Sequence, residues 1–380
     1  MILFLTQYYR GLGHAMRIKH ILEETTNYQK CIIVHHLFKP PISYDNAYKE
    51  YTLIDKKEID QEEKNPFKAL MPNNLIRLRI IRWRKILEEN PEIKVIVSEG
   101  FPFCRHQWAY ELFKFFDEAK KKNIKIVGSV RDFPWDEPHQ RSLQDWVAKT
   151  QNLVVNHYLD KMLVHGDPKC LKLLPDVINH YQYEDIFSEI SSKLEYTGYV
   201  ANPKQKKHER KNNKVYVSCG LNKEESLRVF ASILKISHKF PSLEFVFIAA
   251  NEKFAEKLGN FRKKQNTVLV NYIPDLFKHV ENCTMFITYG GYNSTMEILA
   301  SQTPAIIIPR EDGKKLEQLV RCFTLKPYKF FEVCPLGSLY RINNHIENIL
   351  NDYDTFPKPF NFNINGTQNS AKILSELANA

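Results

Sequence analysis

FITYGGYNSTMEILASQTPAIIIP, at residues 286–309, predicts a buried strand, a glycine turn, a helix and a second strand, in that order. The pair Gly290 and Gly291 separates the first apolar run from a segment that opens with small polar residues. Glycines let a backbone come close to a ligand, and the N–H groups and positive dipole end of a new helix favour an anion. The stretch therefore fits either a phosphate cradle or an ordinary strand, turn and helix of an α/β domain.

Two polar side chains beyond the glycine pair favour the phosphate cradle. Glu297 lies about one turn into the predicted helix, where its carboxylate can accept hydrogen bonds from hydroxyl groups beside a phosphate, such as those of a ribose. A polar loop follows the second strand and leads into another helix with Gln318 near its start. Ligands of open α/β sheets bind at this carboxyl edge of the strands.

Apolar runs alternate with helical segments along the whole chain. Short runs that predict strands occur at 1–5, 93–97, 124–127 and 162–164, and again at 215–218, 245–248, 267–270 and 285–288. This alternation indicates an α/β fold class, with parallel sheets and helices on both faces. With 380 residues, of which 43% are hydrophobic and 26% charged, the chain is long enough for two globular domains.

The stretch 290–310, with EQLVR at 317–321, resembles the carboxyl-terminal nucleotide-sugar domain of glycosyltransferase family 28, which includes the N-acetylglucosaminyltransferase of peptidoglycan synthesis. It is most similar to a bacterial branch of predicted glycosyltransferases. Further motifs match that branch in order, namely GLGH at 11–14, EGFPF at 99–103, RDFP at 131–134, VHGDP at 164–168 and YTGYV at 196–200. The resemblance implies the GT-B fold, in which two Rossmann-like domains face each other across a cleft.

The resemblance also implies how the chain divides. We expect an acceptor-binding domain at 1–201, a linker at 202–214, a nucleotide-sugar-binding domain at 215–345, and a segment at 346–380 that packs back on the first domain. The linker reads NPKQKKHERKNNK, which has no apolar residue and many cations, as expected for a solvated connection.

For the second domain the resemblance implies a nucleotide-diphosphate sugar as donor, taken to be a UDP-sugar, with hexosyl or N-acetylhexosaminyl transfer. Residues 290–295 would hold the diphosphate, Glu297 the ribose, Ile273 the base, and Gln318 the sugar or a phosphate. The expected donor-binding residues are Gly220, Ile273, Gly290, Gly291, Tyr292, Asn293, Ser294, Thr295, Glu297 and Gln318. We expect no cofactor and no metal, because helix dipoles and N–H groups can stabilise a departing diphosphate and no DxD pair follows a strand.

An acceptor hydroxyl must lose a proton as it attacks, so the first domain should supply a base. His14 follows the glycine turn and titrates near neutral pH, although it could instead cap the turn or bind an acceptor phosphate. Asp132 is the second candidate base, or else a structural partner of Arg131. Glu99 is a third carboxylate at this edge, and His165 fits an ordinary loop histidine. The expected acceptor-binding residues are Gly11, Gly13, Glu99 and Arg131.

Two other nucleotide-binding patterns are missing from the sequence. A nicotinamide-binding turn needs a third glycine three residues after the second and an acidic residue about 20 positions later. Met16 occupies the third-glycine position, and the second strand ends in Val34, His35 and His36. There is no GxxxxGK[ST] phosphate loop either. These patterns argue against a dehydrogenase and against an ATPase.

Cysteine usage and hydropathy bear on localisation. Seven cysteines are scattered singly with no CxxC pair, and the odd count argues against a complete disulfide framework. MILFLT at 1–6 is too short for the core of a signal peptide, and no apolar run approaches the ~20 residues that span a bilayer. We expect a cytoplasmic protein, soluble or peripheral to the inner face of the membrane.

The net charge is +10, and the sharpest cluster of cations is LIRLRIIRWRKIL at 75–87. At helical spacing its apolar residues form one stripe, so the segment could lie on an anionic membrane or could be a core helix whose arginines reach the surface. The same charge would suit a nucleic acid. The acceptor hydroxyl could accordingly be lipid-linked, part of a small molecule or part of a nucleic acid.

Two rival functions remain open at this point. A nucleotide-sugar hydrolase or epimerase of the same fold would replace the external acceptor with water or with the enzyme itself. A non-catalytic adaptor would use only the basic surface to bind nucleic acid or membrane, and its binding would depend steeply on salt.

Overall fold

The computed structural model describes residues 1–8, 13–36, 38–54, 74–104, 108–132, 141–171, 189–202, 208–210, 212–219, 224–248, 265–273, 275–310, 317–326, 331–352 and 363–380. Of 141–149, 170 and 171 it describes the backbone alone. The chain forms two compact units. Unit 1 comprises Met1–Pro203 and Asn363–Ala380, and unit 2 comprises Lys204–Phe362.

Unit 1 is built on a parallel sheet. Within the described residues its strands are β1 (Ile2–Thr6), β2 (Cys31–His35), β3 (Lys49–Thr52), β4 (Val95–Glu99), β5 (Lys125–Arg131), β6 (Lys161–His165) and β7 (Leu194–Tyr196). Their order across the sheet is β3-β2-β1-β4-β5-β6-β7. The helices between them are α1 (Gly13–Thr25), α2 (Asn74–Glu89), α3 (Ala109–Lys121), α4 (Arg141–Tyr158) and α5 (Pro168–Leu171).

Unit 2 repeats this plan. Its described strands are β8 (Lys214–Ser218), β9 (Glu244–Ile248), β10 (Thr267–Val270), β11 (Met285–Tyr289), β12 (Ala305–Ile308) and β13 (Glu332–Val333), in the order β10-β9-β8-β11-β12-β13. The helices are α6 (Glu224–Ile236), α7 (Leu276–Val280), α8 (Tyr292–Ser301), α9 (Glu317–Leu325) and α10 (Ile342–Asn351). Every strand pair in both sheets is parallel.

The strand order places a switch point in each sheet. The chain builds outward from β1 on one side and from β4 on the other, and it does the same from β8 and β11 in unit 2. Open α/β sheets bind ligands at the carboxyl ends of the strands that flank such a point. The central strands β1, β4 and β11 are buried along their whole length, as expected for strands covered by helices on both faces.

The carboxyl-terminal helix α11 (Gly366–Asn379) belongs to unit 1, where it packs against α1. Two hydrogen bonds fix its first turn, from Gly366 N to Tyr199 O at 2.9 Å and from Thr367 Oγ1 to Ala201 O at 2.7 Å. The backbones come so close that a methyl group on Gly366 would lie 2.3 Å from Gly198 O. Only glycine fits at this junction.

The domain bounds in the structure differ from those expected at 215–345 and 346–380. Helix α10 lies wholly in unit 2, because Ile346 and Ile349 pack into the core of that unit, and the chain returns to unit 1 at Asn363. The expected linker 202–214 also has structure in its second half. His208 N donates to Ser301 O at 2.5 Å and its Nε2 lies 2.7 Å from Cys283 O, so this part is attached to unit 2.

Helix α2 contains the basic segment 75–87 and is part of the core of unit 1. Trp83 is fully buried and stacks on Phe115 of α3, with 4.8 Å between ring centroids. Arg79 is buried as well, and it donates to Glu111 through Nε at 2.5 Å and through Nη2 at 2.6 Å. The exposed side of α2 carries Arg77, Leu78, Ile81, Arg84 and Lys85. None of the helices in the described part of the chain has the length and apolar character needed to span a membrane.

Glu111→Gln should lower the free energy of unfolding by about 3 kcal/mol, because it leaves the Arg79 guanidinium buried without a counter-charge. Glu118→Gln on the same helix is the matched control. Glu118 pairs with Arg84, whose side chain is 50% exposed, so its loss should cost less than about 1 kcal/mol. Denaturant unfolding of both variants measures the difference, and equal losses would contradict this account of α2.

Candidate functional site

The glycine pair follows β11 at the switch point of unit 2. Gly291 is the N-cap of α8, with φ −63° and ψ 147°, and the first helical hydrogen bond runs from Thr295 N to Gly291 O at 3.0 Å. An α-helix leaves the N–H groups of its first turn without acceptors inside the helix, and its dipole adds positive charge at this end. The predicted order of strand, glycine turn and helix is present, at a place where an anion can bind.

The two glycines serve different purposes. A methyl group on Gly290 would lie 2.7 Å from Cys322 Sγ and 3.3 Å from Ile307 Cγ2, so Gly290 is required for packing of β11 against α9 and β12. A methyl group on Gly291 would have no atom of the described residues within 4 Å. The space beside Gly291 is therefore open, and its backbone can be approached by a ligand.

Arg321 on α9 donates a hydrogen bond to the backbone of the glycine turn, and sequence reasoning missed this residue. Its side chain is fully buried, and Nη1 donates to Gly290 O at 3.0 Å. The guanidinium lies 5.3 Å from the ring centroid of Tyr292, and Nη2 lies 4.0 Å from Glu317 Oε2. A buried positive charge beneath the turn adds to the attraction of the helix end for an anion. The motif EQLVR, in which Glu317 and Arg321 lie one turn apart, was the sequence signal that could have identified Arg321.

Gln318 lies next to the glycine turn, and its contact with the donor stays a prediction. Its Cβ is 3.4 Å from the position that a methyl group on Gly290 would take, and its Oε1 accepts from Arg310 N at 3.2 Å. Because the carbonyl oxygen is engaged, the amide N–H₂ is the part of Gln318 suited to a ligand. Ile273 follows β10 and is half-buried. Gly220 lies outside the described residues.

Three expected donor-binding residues, Tyr292, Thr295 and Glu297, are buried in α8. The Thr295 hydroxyl donates to Gly291 O at 2.9 Å, so its proton stabilises the helix start instead of reaching a ligand. Glu297 is 4% exposed. Tyr292 is also buried, whereas Asn293 and Ser294 are partly exposed in the first turn of the helix. The contact of Glu297 with a ribose stays a prediction.

A charged cluster occupies the switch point of unit 1. Glu99, the last residue of β4, is 1% exposed and lies 2.9 Å from His14 Nδ1 through its Oε1. Arg17, one turn further along α1, donates to the same oxygen. Sequence reasoning listed His14 and Glu99 among the candidates at this edge without joining them, and it missed Arg17.

Burial and charge set the protonation of this cluster. Burial alone would raise the pKa of Glu99, but the Arg17 guanidinium and the hydrogen bonds from His14 and Ser129 hold it well below its usual range. Burial lowers the pKa of His14, while Glu99 opposes that change. Near neutral pH the cluster therefore combines an ionised carboxylate with a neutral imidazole that is 23% exposed.

Three further polar side chains line up behind Glu99. Ser129 Oγ on β5 donates to Glu99 Oε2 at 2.6 Å and lies 2.9 Å from His165 Nε2 on β6. His165 Nδ1 lies 2.9 Å from Thr197 Oγ1. Burial, with Arg17 nearby, lowers the pKa of His165 to about 3, so its imidazole is neutral. His165, expected to be an ordinary loop histidine, is instead joined to the cluster.

The other expected acceptor-side residues lie around this cluster or outside the described residues. Asp132 follows β5 and is fully buried, so it is out of reach of an acceptor in this structure. Arg131 is partly exposed and lowers the pKa of His14. Gly13 begins α1, where an added methyl group would have no atom of the described part of the chain within 4 Å, and Gly11 is not described. In the described parts of both units, no three His, Cys, Asp or Glu side chains are grouped so that they could hold a metal ion.

The comparison with protein families gives one match. Residues 199–321 match the model of the glycosyltransferase family 28 C-terminal domain. The matched range includes β8 to β12 and the glycine turn, and it ends at Arg321. No curated protein matches the sequence.

Solved structures that share the fold cover nearly the whole chain. MurG of Acinetobacter baumannii aligns with a TM-score of 0.53 at 9% identity, over 100% of this chain and 99% of that one. SnogD of Streptomyces nogalater aligns with a TM-score of 0.57 at 12% identity, over 100% of this chain and 95% of that one. MnaA of S. aureus, in a co-structure with UDP, aligns with a TM-score of 0.56 at 11% identity, over 97% of this chain and 90% of that one. These likenesses establish the fold, which is GT-B.

Gly290→Ala should lower the free energy of unfolding by about 2 kcal/mol, because the added methyl group overpacks the contact with Cys322. Gly291→Ala should change it by less than about 1 kcal/mol, because its space is open and its φ and ψ suit alanine. Denaturant unfolding of the two variants side by side provides the measurement. A larger loss for Gly291→Ala would show that the turn is packed differently.

Proposed function

We propose that this chain, a glycosyltransferase with a family 28 carboxyl-terminal domain, transfers a sugar from a nucleotide-diphosphate sugar to an acceptor hydroxyl. The observation that carries the proposal is the match over 199–321, which includes a glycine turn built at the switch point of unit 2. A UDP-sugar is the proposed donor. Its support is that MnaA and Anabaena HepE, which share the fold, were both solved with UDP.

The donor diphosphate is proposed to bind at the start of α8. Backbone N–H groups at Gly291, Tyr292 and Asn293, with the hydroxyl of Ser294, would donate to its oxygens, and Arg321 would add a buried positive charge behind them. As the bond from the anomeric carbon to the diphosphate oxygen breaks, negative charge grows on that oxygen. Donors fixed in advance stabilise such charge strongly. Transfer should therefore proceed in the presence of a metal chelator.

His14 is the proposed base. The ionised Glu99 is the strongest acceptor near His14 Nδ1, so Nδ1 carries the proton and donates to Glu99 Oε1. Nε2 is then unprotonated and can take the proton of the acceptor hydroxyl. The acceptor oxygen forms the new bond to the anomeric carbon, and the nucleoside diphosphate leaves. Arg17 Nη2 also lies 3.3 Å from Nδ1, but it already donates to Glu99.

The cellular setting forms part of the proposal. Six cysteines whose side chains are described are free and buried, which supports a reducing compartment such as the cytoplasm. The exposed side of α2 combines Ile81, 59% exposed, with Arg77 and with Arg84 and Lys85, which pair with Glu118 and Glu89. An apolar side chain among basic ones supports peripheral contact with an anionic membrane. That contact stays a prediction, and sedimentation with anionic vesicles would test it.

The first experiment tests the donor site. Glu297→Gln should weaken binding of the nucleotide sugar by about 1.5 to 3 kcal/mol, the usual loss for a hydrogen bond to a charged group, as measured by calorimetric titration. The donor itself is found first, by thermal shift with a panel of nucleotide sugars, because a ligand at ~100 times its Kd adds ~2.7 kcal/mol of stability. Glu347→Gln, an exposed change on α10, is the control. Unchanged donor affinity in Glu297→Gln would remove Glu297 from the site.

The second experiment tests the base. His14→Ala should lower kcat by ~10² to 10⁴ with donor affinity nearly unchanged, because general-base catalysis contributes about that much. If His14 only bound the acceptor, the variant would raise the acceptor KM and saturating acceptor would restore the rate. Asp132→Asn should cost stability more than turnover, since Asp132 is buried. Donor consumption without acceptor would indicate a hydrolase or an epimerase instead.

A further inference from the structure

The side chains behind Glu99 form a chain of hydrogen bonds with a defined direction. Ser129 has one hydroxyl proton, and the ionised Glu99 takes it. Ser129 Oγ must therefore accept at its contact with His165, which makes His165 Nε2 the donor there. A neutral imidazole has one N–H, so His165 Nδ1 is an acceptor. Thr197 Oγ1 lies 2.9 Å from this nitrogen, and its hydroxyl also donates to Gly198 O at 2.9 Å. The protons of Ser129 and His165 therefore both point toward Glu99.

We propose that His165 and Ser129, with Thr197 next to His165, form a relay whose aligned donors position the Glu99 carboxylate, and through it the tautomer of His14. None of the three contacts the reacting atoms, so they are positioning residues. The proposal rests on the proposed role of His14 as the base. No proton travels along the relay, because Glu99 remains ionised and His165 remains neutral throughout.

The burial of the relay supports a dedicated role. Ser129, His165 and Thr197 are all 0% exposed. They lie on one face of the sheet, at the carboxyl ends of β5, β6 and β7, and Glu99 pairs in register with Ser129. A polar group buried without a partner is costly, so a carboxylate with only Oε1 held by His14 and Arg17 would leave Oε2 unsatisfied. Ser129 satisfies that oxygen.

The relay should also affect the pKa of His14. Glu99, Arg17 on the same helix and Arg131 on β5 are the charged groups that act on His14. When Ser129 no longer donates to Glu99, more of the carboxylate's charge acts on His14, which favours the imidazolium. The pKa of His14 should then rise, so the acid limb of the kcat profile should move to higher pH.

One test reads the two tautomers directly in the wild-type protein. Long-range proton–nitrogen NMR correlations on the full chain labelled with ¹⁵N-histidine report the tautomer of each neutral imidazole. The proposal requires Nδ1–H for His14 and Nε2–H for His165 near neutral pH, with His165 still neutral at pH 5. Comparison with His14→Ala and His165→Gln assigns the signals. Nε2–H on His14, or Nδ1–H on His165, would overturn the proposal.

Kinetics provide the second test. Ser129→Ala and His165→Leu should each lower kcat about tenfold, the size of a weak loss for a hydrogen bond to a charged group, and leave the donor KM unchanged. Both should move the acid limb to higher pH. His165→Gln keeps an N–H donor of similar reach and should recover most of the rate. Ser375→Ala, which removes a buried serine hydroxyl from α11, is the matched control and should leave the profile unchanged.

The outcomes separate the relay from the proposed function. If His14→Ala retains turnover, the base assignment fails, whatever the relay variants do. If His14→Ala is inactive while Ser129→Ala and His165→Leu keep both the wild-type rate and the wild-type acid limb, the relay fails alone. A loss of folded protein without movement of the acid limb would reduce the relay to a structural contact and would also overturn the proposal.

Discussion

A buried ionised carboxylate, Glu99, is the constraint around which unit 1 is arranged. Taking a charge out of water is unfavourable unless partners replace the lost hydration, so a carboxylate that is 1% exposed dictates what must surround it. Arg17 supplies the counter-charge from α1, His14 a second donor from the same helix, and Ser129 a third from the neighbouring strand. These requirements fix the position of the first turn of α1 over the end of β4, and with it the position of the imidazole.

The two units share the same topology, but the charges at their switch points are opposite. Each sheet has its switch point beside its first strand. Glu99 is the last residue of the fourth strand of unit 1, and the glycine turn follows the equivalent strand β11 of unit 2. In unit 1 an anion is buried there and a helix brings a cation to it. In unit 2 the start of α8 is positive, and Arg321 donates to Gly290 O next to it, so this site suits an anionic ligand. The arrangement in unit 1 suits a catalytic base, and the arrangement in unit 2 suits an anionic leaving group.

Long apolar runs were predictable from the sequence because their burial depends on composition alone. The strand, glycine turn, helix and strand of 286–309 are present, β10 has its predicted bounds of 267–270, and the fold class followed from the alternation. The edge strands β3, β7 and β13 were not predicted, because KEYT, LEY and EV are short and largely polar and pair on one side only. The contact of Ser129 with His165 joins residues 36 positions apart, and no local pattern encodes such a pair.

The division of labour around Glu99 explains why a neutral relay serves better than a second cation. Arg17 already keeps the carboxylate ionised, but its charge also lowers the pKa of His14. Another guanidinium at Glu99 Oε2 would hold the carboxylate as firmly, yet it would weaken the basicity of the imidazole further, since like charges disfavour its protonated form. Ser129, backed by a neutral His165, donates to the same oxygen without adding charge. The carboxylate is thereby oriented while His14 remains basic enough to accept a proton.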